Sequence, residues 1–542
     1  MCGQEFTSSP VLITSLRWKN LTFPPQDGTK IDSLVSITKL RFIFSLEIFV
    51  VLLILSLAST LSSLGTADSL GAYDDSYSAY CLANSGNVTD VPYVSQQTNG
   101  LCHWATQSMA LQTVGVPLDL AGVCAATGIG FSMGYLRYEN YWLIVPGSDY
   151  HQLALLANID ELYGLDTELY VDTDCSDFSS LLALSLQEMG VNWTEIDGWD
   201  DAFQILKDSI DEGYPVEIFA NLFHLPHPDY DVVREFGSSD DNPSHSVLIT
   251  GYNETAGVAY VMDPAIGVLE QSEAIPNDDS CLYEINLTSL NLAWNKSYAC
   301  TVIKPGTGVA DDFTNNLGNY ILDRLRGDRT SYAPDAEEVF FWNFGSNAYR
   351  GIAAELTGDS LSLYLDEFEE YSVQTKASIL RNMGIEIEVF LTLQYEAYLL
   401  AINALPDVLS DLNLDEFTKE GALAFTHFEA ISNHSTLNNF FYTGGATLVS
   451  ETFSSIAYQY EFVHDGDILA SAIEYEEDLF EIRAHLTAIA NAWDAAADAL
   501  ERELIGPGIP WIPSISGIGA ITVLTIAIVT KRRRDSRNQL IS

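Results

Sequence analysis

Positive charge is scarce in this chain. Its 542 residues carry 24 Lys+Arg against 75 Asp+Glu, a formal net charge of −51. Residues 1–64 hold five basic and four acidic groups and residues 511–542 hold five basic and one acidic, so the stretch between them has 14 basic against 70 acidic, net −56. Such a surface argues against a nucleic-acid partner, because backbone phosphates are neutralised by Lys and Arg. It argues against adsorption to anionic lipid for the same reason. Excess acid keeps a protein hydrated in salt or lets it attract cations, and composition does not choose between the two. No P-loop and no Rossmann glycine pattern stands where a strand–helix turn would need it. Repeats and low-complexity tracts are also missing. No cofactor is implied. The acidity is nevertheless not that of a disordered tail, since 47% of the residues are hydrophobic, enough for real cores.

Cysteine is sparse as well, with seven in all, and one stands apart by its surroundings. Residues 91–111 read V-P-Y-V-S-Q-Q-T-N-G-L-C-H-W-A-T-Q-S-M-A-L, which places Gln96 six residues before Cys102. The run that Cys102 opens predicts an amphipathic helix whose buried face is shared by Leu101, Trp104, Ala105, Met109 and Leu111. A thiol in the first turn of a helix feels the positive end of the helix dipole, which favours the thiolate, and the thiolate is the nucleophile. A side-chain amide just upstream can donate to an oxyanion forming at an attacked carbonyl. The plainer alternative is a small buried hydrophobe, which most free cysteines are.

Far downstream, residues 243–264 read P-S-H-S-V-L-I-T-G-Y-N-E-T-A-G-V-A-Y-V-M-D-P, a hairpin signature with turn residues from Gly251 to Gly257. His245 opens the first strand and Asp263 closes the second, so antiparallel pairing would bring them side by side. A His held by a carboxylate keeps the tautomer needed to take a proton from a thiol. A capping His and a turn Asp are the alternative, Asp-Pro being common in turns.

Gln-x5-Cys, then a distant His opening a G-Y hairpin, then Asp-Pro, resembles the papain-like cysteine peptidase superfamily, in particular the branch of the double-glycine leader peptidases. The resemblance implies an oxyanion-hole role for Gln96, a nucleophile in Cys102, a general base and acid in His245 and an orienting carboxylate in Asp263. The segments G-I-G-F-S-M-G-Y at 128–135, L-K-D-S-I-D-E-G-Y-P-V-E-I-F-A at 206–220 and L-P-H-P-D-Y at 225–230 are similar to the N-terminal domain of butirosin biosynthesis protein H. That relative implies acyl transfer from a thiol to an amine. Cys102 is followed by His103, where the peptidases often have a small residue, and Gln97 neighbours Gln96.

Residues 42–58 are apolar apart from Glu47 and two serines, Lys39 and Arg41 precede them, and Gly65-Thr66-Ala67 follows. This pattern predicts a secretory signal or an N-terminal anchor over 1–67. Trp511 to Thr530 is long and apolar enough to span a bilayer, and Lys531, Arg532, Arg533 and Arg534 follow at once. The expected form is an extracellular domain tethered by its own C-terminal helix at 506–530, with a cytoplasmic tail at 531–542. Asn-x-Ser/Thr sequons at Asn87, Asn192, Asn253, Asn286, Asn295 and Asn433 suit an exported glycoprotein. Cys281 and Cys300 are the best-placed pair for a disulfide.

Between those termini the expected class is α+β: a papain-like domain over 68–308, then an all-α bundle over 309–505. Strand-like pieces at 167–172, 215–220, 246–251 and 258–263 lie among helical pieces at 101–114, 151–163 and 200–212. Lys304 to Asp312 is a Gly/Pro break. Long helical runs follow at Ile379–Leu405 and Gly466–Leu504, the last with Leu479, Ile482, Leu486, Ile489, Trp493 and Ala497 as an apolar stripe. His224-x-x-His227 stands in a Pro-rich loop without further ligands, so no metal is expected. His427, His434, His464 and His485 are scattered through the helical region. The expected activity is hydrolysis of a peptide or other amide through Cys102, with acyl transfer to an amine or a catalytically silent binding module as alternatives.

Overall fold

The computed structural model describes residues 85–505 apart from 98–99, 139–140, 147–158, 173–192, 232–233, 235–243, 267–280, 307, 309–311, 328–338, 367, 369 and 433–446. The expected leader at 1–67 and the expected membrane helix at 506–530 lie outside the described residues, as do Cys81, Cys175, Asn192 and Asn433. Among the described residues no helix is long and apolar enough to cross a membrane. The described residues up to Glu501 form one compact unit.

Strand β1 (Ser85–Asn87) precedes helices α1 (Cys102–Thr113) and α2 (Leu120–Ala126), and the hairpin β2 (Met133–Tyr138) and β3 (Tyr141–Pro146) follows. Next come β4 (Leu165–Val171), β5 (Thr194–Glu195), α3 (Gly198–Asp211), β6 (Val216–Asn221), β7 (Ser244–Asn253), β8 (Val258–Met262), β9 (Leu282–Asn286), α4 (Leu287–Trp294) and β10 (Cys300–Pro305). The rest of the chain supplies α5 (Phe313–Arg326), β11 (Val339–Phe344), α6 (Ser346–Glu355), α7 (Gly358–Asp366), α8 (Val373–Val408), α9 (Asp415–Ile431), α10 (Leu448–Phe462), α11 (Ile468–Ile473) and α12 (Glu476–Ile505). The class is α+β with a helical C-terminal region.

One sheet runs in the order β5-β4-β10-β6-β7-β8-β9, with β1 paired to the far end of β7. Except for the short β4–β5 pair, its ladders are antiparallel. Strand β6 is buried along its whole length, as expected of a central strand covered on both faces. Helices α3 and α4 cover one face, where Phe203, Leu206, Ile210, Leu290 and Trp294 pack on Ile218, Val247, Ile249, Val261 and Val302. Helix α1 lies against β7, β6 and β10, and β-strand alternation puts its partners Glu217, Ser246 and Thr301 on the opposite face.

Helix α1 departs from the amphipathic expectation. All its residues from Cys102 to Leu111 are buried, including His103, Thr106, Gln107 and Ser108. The polar side is not turned to water: His103, Thr106 and Gln107 are hydrogen-bonded to the sheet, and Ser108 Oγ donates to the Leu118 carbonyl (2.7 Å). Burial of such groups is tolerable only when they are paired.

The expected Cys281–Cys300 disulfide is absent, and both residues remain buried thiols. The topology explains it. Cys281 leads into β9 and Cys300 opens β10, and three strands lie between β10 and β9. Four inter-strand steps of about 4.8 Å exceed the roughly 7 Å that a disulfide can span.

The chain beyond 308 is not wholly helical. Strand β11 pairs antiparallel with β2, giving the three-stranded sheet β11-β2-β3, so the two halves of the sequence share a sheet. Helix α8 then packs on α2 and on the turn at 129–131. There Gln394 Nε2 donates to the Gly130 carbonyl (2.8 Å). A Cβ at Gly130 would lie 2.2 Å from Ala401 Cβ and 2.6 Å from the Ala397 carbonyl, so only glycine lets the turn approach the helix this closely. From α5, buried Arg324 donates to Ser132 Oγ (2.9 Å) and Tyr320 Oη donates to the Thr127 carbonyl (3.0 Å). Three arginines tie helices together: Arg326 to Asp498 (2.9 Å) and Glu501 (2.7 Å), Arg350 to Asp494 (2.6 Å), and Arg381 to Glu461 (2.9 Å).

Candidate active site

Cys102 is the first residue of α1, with Leu101 as the N-cap. Its thiol is buried and free. The helix start meets the sheet near the first residues of β7, where His245 lies. The β7–β8 register pairs Leu248 with Met262, which carries Asp263 to the level of Val247, one diagonal step from His245. His245 Nε2 and Asp263 Oδ1 are 2.8 Å apart. The Cys102 thiol lies beside the His245 ring, close enough for its charge to act on the imidazole. With Nε2 given to Asp263, Nδ1 is the nitrogen left to face the thiol.

The imidazole is 5% exposed and Asp263 is fully buried. Burial by itself would push His245 down; the Asp263 carboxylate, and then the charge of Cys102, outweigh it and raise the group to about 10. Burial would push the Asp263 carboxyl up, but the His245 charge and four donated hydrogen bonds hold it below its usual range. Those four come from His245, the Ala265 amide (3.0 Å, to Oδ1), Tyr230 Oη (2.8 Å, to Oδ2) and Tyr283 Oη (3.0 Å, to Oδ2). Burial, and then the Asp263 charge, push both phenols well above the ordinary tyrosine value, so they remain donors.

Gln96 is 1% exposed, whereas Gln97 is exposed with a left-handed φ of 57°. Only the first of the two faces the interior. Its amide N–H donates to the Pro264 carbonyl (2.9 Å), and Tyr93 Oη reaches the Pro264 and Ile266 carbonyls (3.4 and 3.3 Å). The segment that leads to Cys102 is thereby sewn to the residues just after Asp263. Gln96 Oε1 is buried without a hydrogen-bond partner.

The structure therefore places Cys102 beside the hydrogen-bonded His245–Asp263 pair and ties the Gln96 backbone to the residue after Asp263. Sequence reasoning missed Tyr230 and Tyr283. Tyr230 closes the L-P-H-P-D-Y run, and Tyr283 lies on β9 beside β8. An aromatic with a polar tip in a loop of that kind was the available signal.

A second buried carboxylate lies under α1. Glu217, 1% exposed on β6, accepts from His103 Nδ1 (2.7 Å), Thr301 Oγ1 (2.6 Å), Gln107 Nε2 and Ser246 Oγ. Burial would raise Glu217; His103 and then the hydroxyls more than offset it and hold the carboxyl below its usual range. His103 Nε2 is buried with no partner. The sequence signal was a lone carboxylate inside the apolar run V-E-I-F-A.

Burial drives Cys124 and Cys300 far above the ordinary thiol value, as in inert structural cysteines. His227 Nδ1 accepts from the Asp229 amide (3.2 Å) instead of facing a metal. His427 and His485, expected to be scattered, meet between α9 and α12 with their Nδ1 atoms 2.9 Å apart. Among the described residues no group of three or more His, Cys, Asp or Glu is arranged to hold a metal ion.

No curated protein matches the chain. Residues 88–278, which contain Gln96, Cys102, His245 and Asp263, match the model of the Peptidase_C39 like family, and this supports a papain-like cysteine peptidase relationship for that part of the chain.

Proposed function

We propose that the chain is a cysteine-dependent hydrolase that cleaves a peptide or other amide bond at Cys102. The single observation that carries this reading is the row Cys102–His245–Asp263, in which the imidazole is anchored at 2.8 Å by a buried carboxylate and raised to about 10. A cationic His245 at neutral pH pairs with a thiolate, the form that attacks a carbonyl. Attack forms a carbon–sulfur bond and an oxyanion, for which the Gln96 side-chain amide is the donor. His245 then gives its proton to the leaving amine, and the thioester remains. Water, deprotonated by the now neutral His245, attacks the thioester and returns the thiol. Asp263 stays ionised throughout and keeps the ring in place, and Tyr230 and Tyr283 keep Asp263 in place. Acidic composition and the basic stop after Thr530 support an extracellular site of action, with 506–530 as the membrane tether.

The test is alkylation of Cys102 by iodoacetamide against pH, read by peptide mass spectrometry, beside His245→Ala. Rapid labelling at about pH 6, lost in the His245 variant, is the expected result for a thiolate–imidazolium pair. Slow labelling indifferent to His245 would overturn the catalytic reading and leave a binding module. Cys102→Ala should abolish hydrolysis and covalent adducts while the protein stays folded. Turnover only when an amine is added would instead favour acyl transfer.

A further inference from the structure

The two residues that would exchange a proton have sequence neighbours that reach one buried group. His103 follows Cys102 and Ser246 follows His245, and both donate to Glu217. We infer that Glu217 is a positioning residue of the active site: by holding His103 on α1 and Ser246 on β7, it sets the Cys102 thiol against the His245 ring. This inference rests on the proposed roles of Cys102 and His245.

Four donors from three elements converge on this carboxylate. His103 and Gln107 are one helical turn apart, so both face the sheet from α1. Thr301 stands directly opposite Glu217 in the β10–β6 register, and Ser246, paired with Phe219, is the diagonal neighbour from β7. The result is a bracket from β10 through β6 to β7 and up to α1. A second tie runs parallel to it, since the Thr106 hydroxyl donates to the Cys102 carbonyl (2.8 Å) and lies 3.3 Å from the Ser246 carbonyl.

Stability alone is a poor reason for such a group. A buried ion pair is commonly matched or exceeded by apolar packing of the same volume, and the other face of the sheet is packed that way. Apolar contacts, however, let a helix slide by a fraction of an ångström. Directional hydrogen bonds to a fixed carboxylate do not. Cys102 needs that restraint more than any other residue of α1, because it lies at the helix terminus, where no preceding turn holds it. A displacement of about 1 Å at a reacting centre can cost on the order of 100-fold in rate.

The experiment is iodoacetamide labelling of Cys102 over a pH series in the full chain, for the wild type, His245→Ala, Glu217→Gln and Ser246→Ala, with cooperative melting as the check of folding. Folded Glu217→Gln should label about 10-fold or more slowly near pH 6, with its profile displaced toward that of an ordinary thiol. Ser246→Ala should move the same way by less. A purely structural Glu217 would lower the melting temperature and leave the labelling profile of the folded protein unchanged, and that result would overturn the inference. If Glu217→Gln does not fold, Ser246→Ala decides alone, since it removes one hydroxyl and keeps the His103–Glu217 pair. Fast, His245-dependent labelling of the wild type together with an unchanged Ser246→Ala would sink the inference and spare the catalytic reading. A wild type that labels slowly and ignores His245 would sink both.

Discussion

Among the described residues two fully buried carboxylate–imidazole pairs stand out, and their His partners differ in what else they meet. His245–Asp263 and His103–Glu217 have almost the same length, 2.8 and 2.7 Å, and in both the carboxyl is held below its usual range against the pull of burial. In the first, Nε2 goes to the carboxylate and the rest of the ring meets the Cys102 thiol. In the second, Nδ1 goes to the carboxylate and Nε2 is buried with no partner. His245 has a thiol beside its ring, whereas the second nitrogen of His103 meets no hydrogen-bonding group. The pairing of His with an acid is therefore not what makes a site chemical; the third group is. On the proposed reading, the same unit serves once for proton transfer and once as a bracket.

The severest challenge to this contrast is Asp263→Asn. It removes the charge that raises His245 and should lower amide hydrolysis by about 100-fold or more, seen as a fall in kcat/KM. An Asp263→Asn enzyme within a few-fold of the wild type would make the first pair as structural as the second. A smaller difference should appear in stability against pH. His245 is raised from 6.5 to about 10, so its contribution is fully present below 6.5 and is lost as pH rises toward 10. Asp263 and Glu217 are lowered, so theirs are present above the ordinary carboxyl range and are lost as pH falls through their folded values. Melting temperature against pH should thus decline on both sides. Asp263→Asn should flatten the alkaline side, and Glu217→Gln should weaken only the acid side. An alkaline decline unchanged in Asp263→Asn would mean that the pair does not set it. The smallest effect belongs to Tyr283→Phe, which removes one of four donors to Asp263. It should cost about 1 kcal/mol in denaturant unfolding and lower turnover a few-fold, because Tyr230 still holds the same oxygen.

Much of the local structure was legible. The helix at Cys102, the strands at 246–251 and 258–263, and the long helix around 379–405 all follow from period and turn residues, which are short-range signals. So is the juxtaposition of His245 and Asp263, because a hairpin converts sequence order directly into contact. The disulfide expectation failed because Cys281 and Cys300 are close in sequence yet sit on strands separated by β6, β7 and β8. The even, one-sided burial expected of α1 failed because Glu217 and its partners, distant in sequence, give its polar side a buried destination.

Residue order and composition were enough for the α+β class, the charge, the nearness of His245 to Asp263, and the local elements that carry Cys102, His245 and Asp263. The assembled fold had to decide that Gln96 and not Gln97 turns inward, that Tyr230 and Tyr283 converge on Asp263, that β11 closes a sheet begun two hundred residues earlier, and that Glu217 joins α1 to β7. The physical reason is range. Backbone preference and periodicity act over a turn or a hairpin, whereas the burial and pairing of a polar group depend on which distant strand arrives beside it.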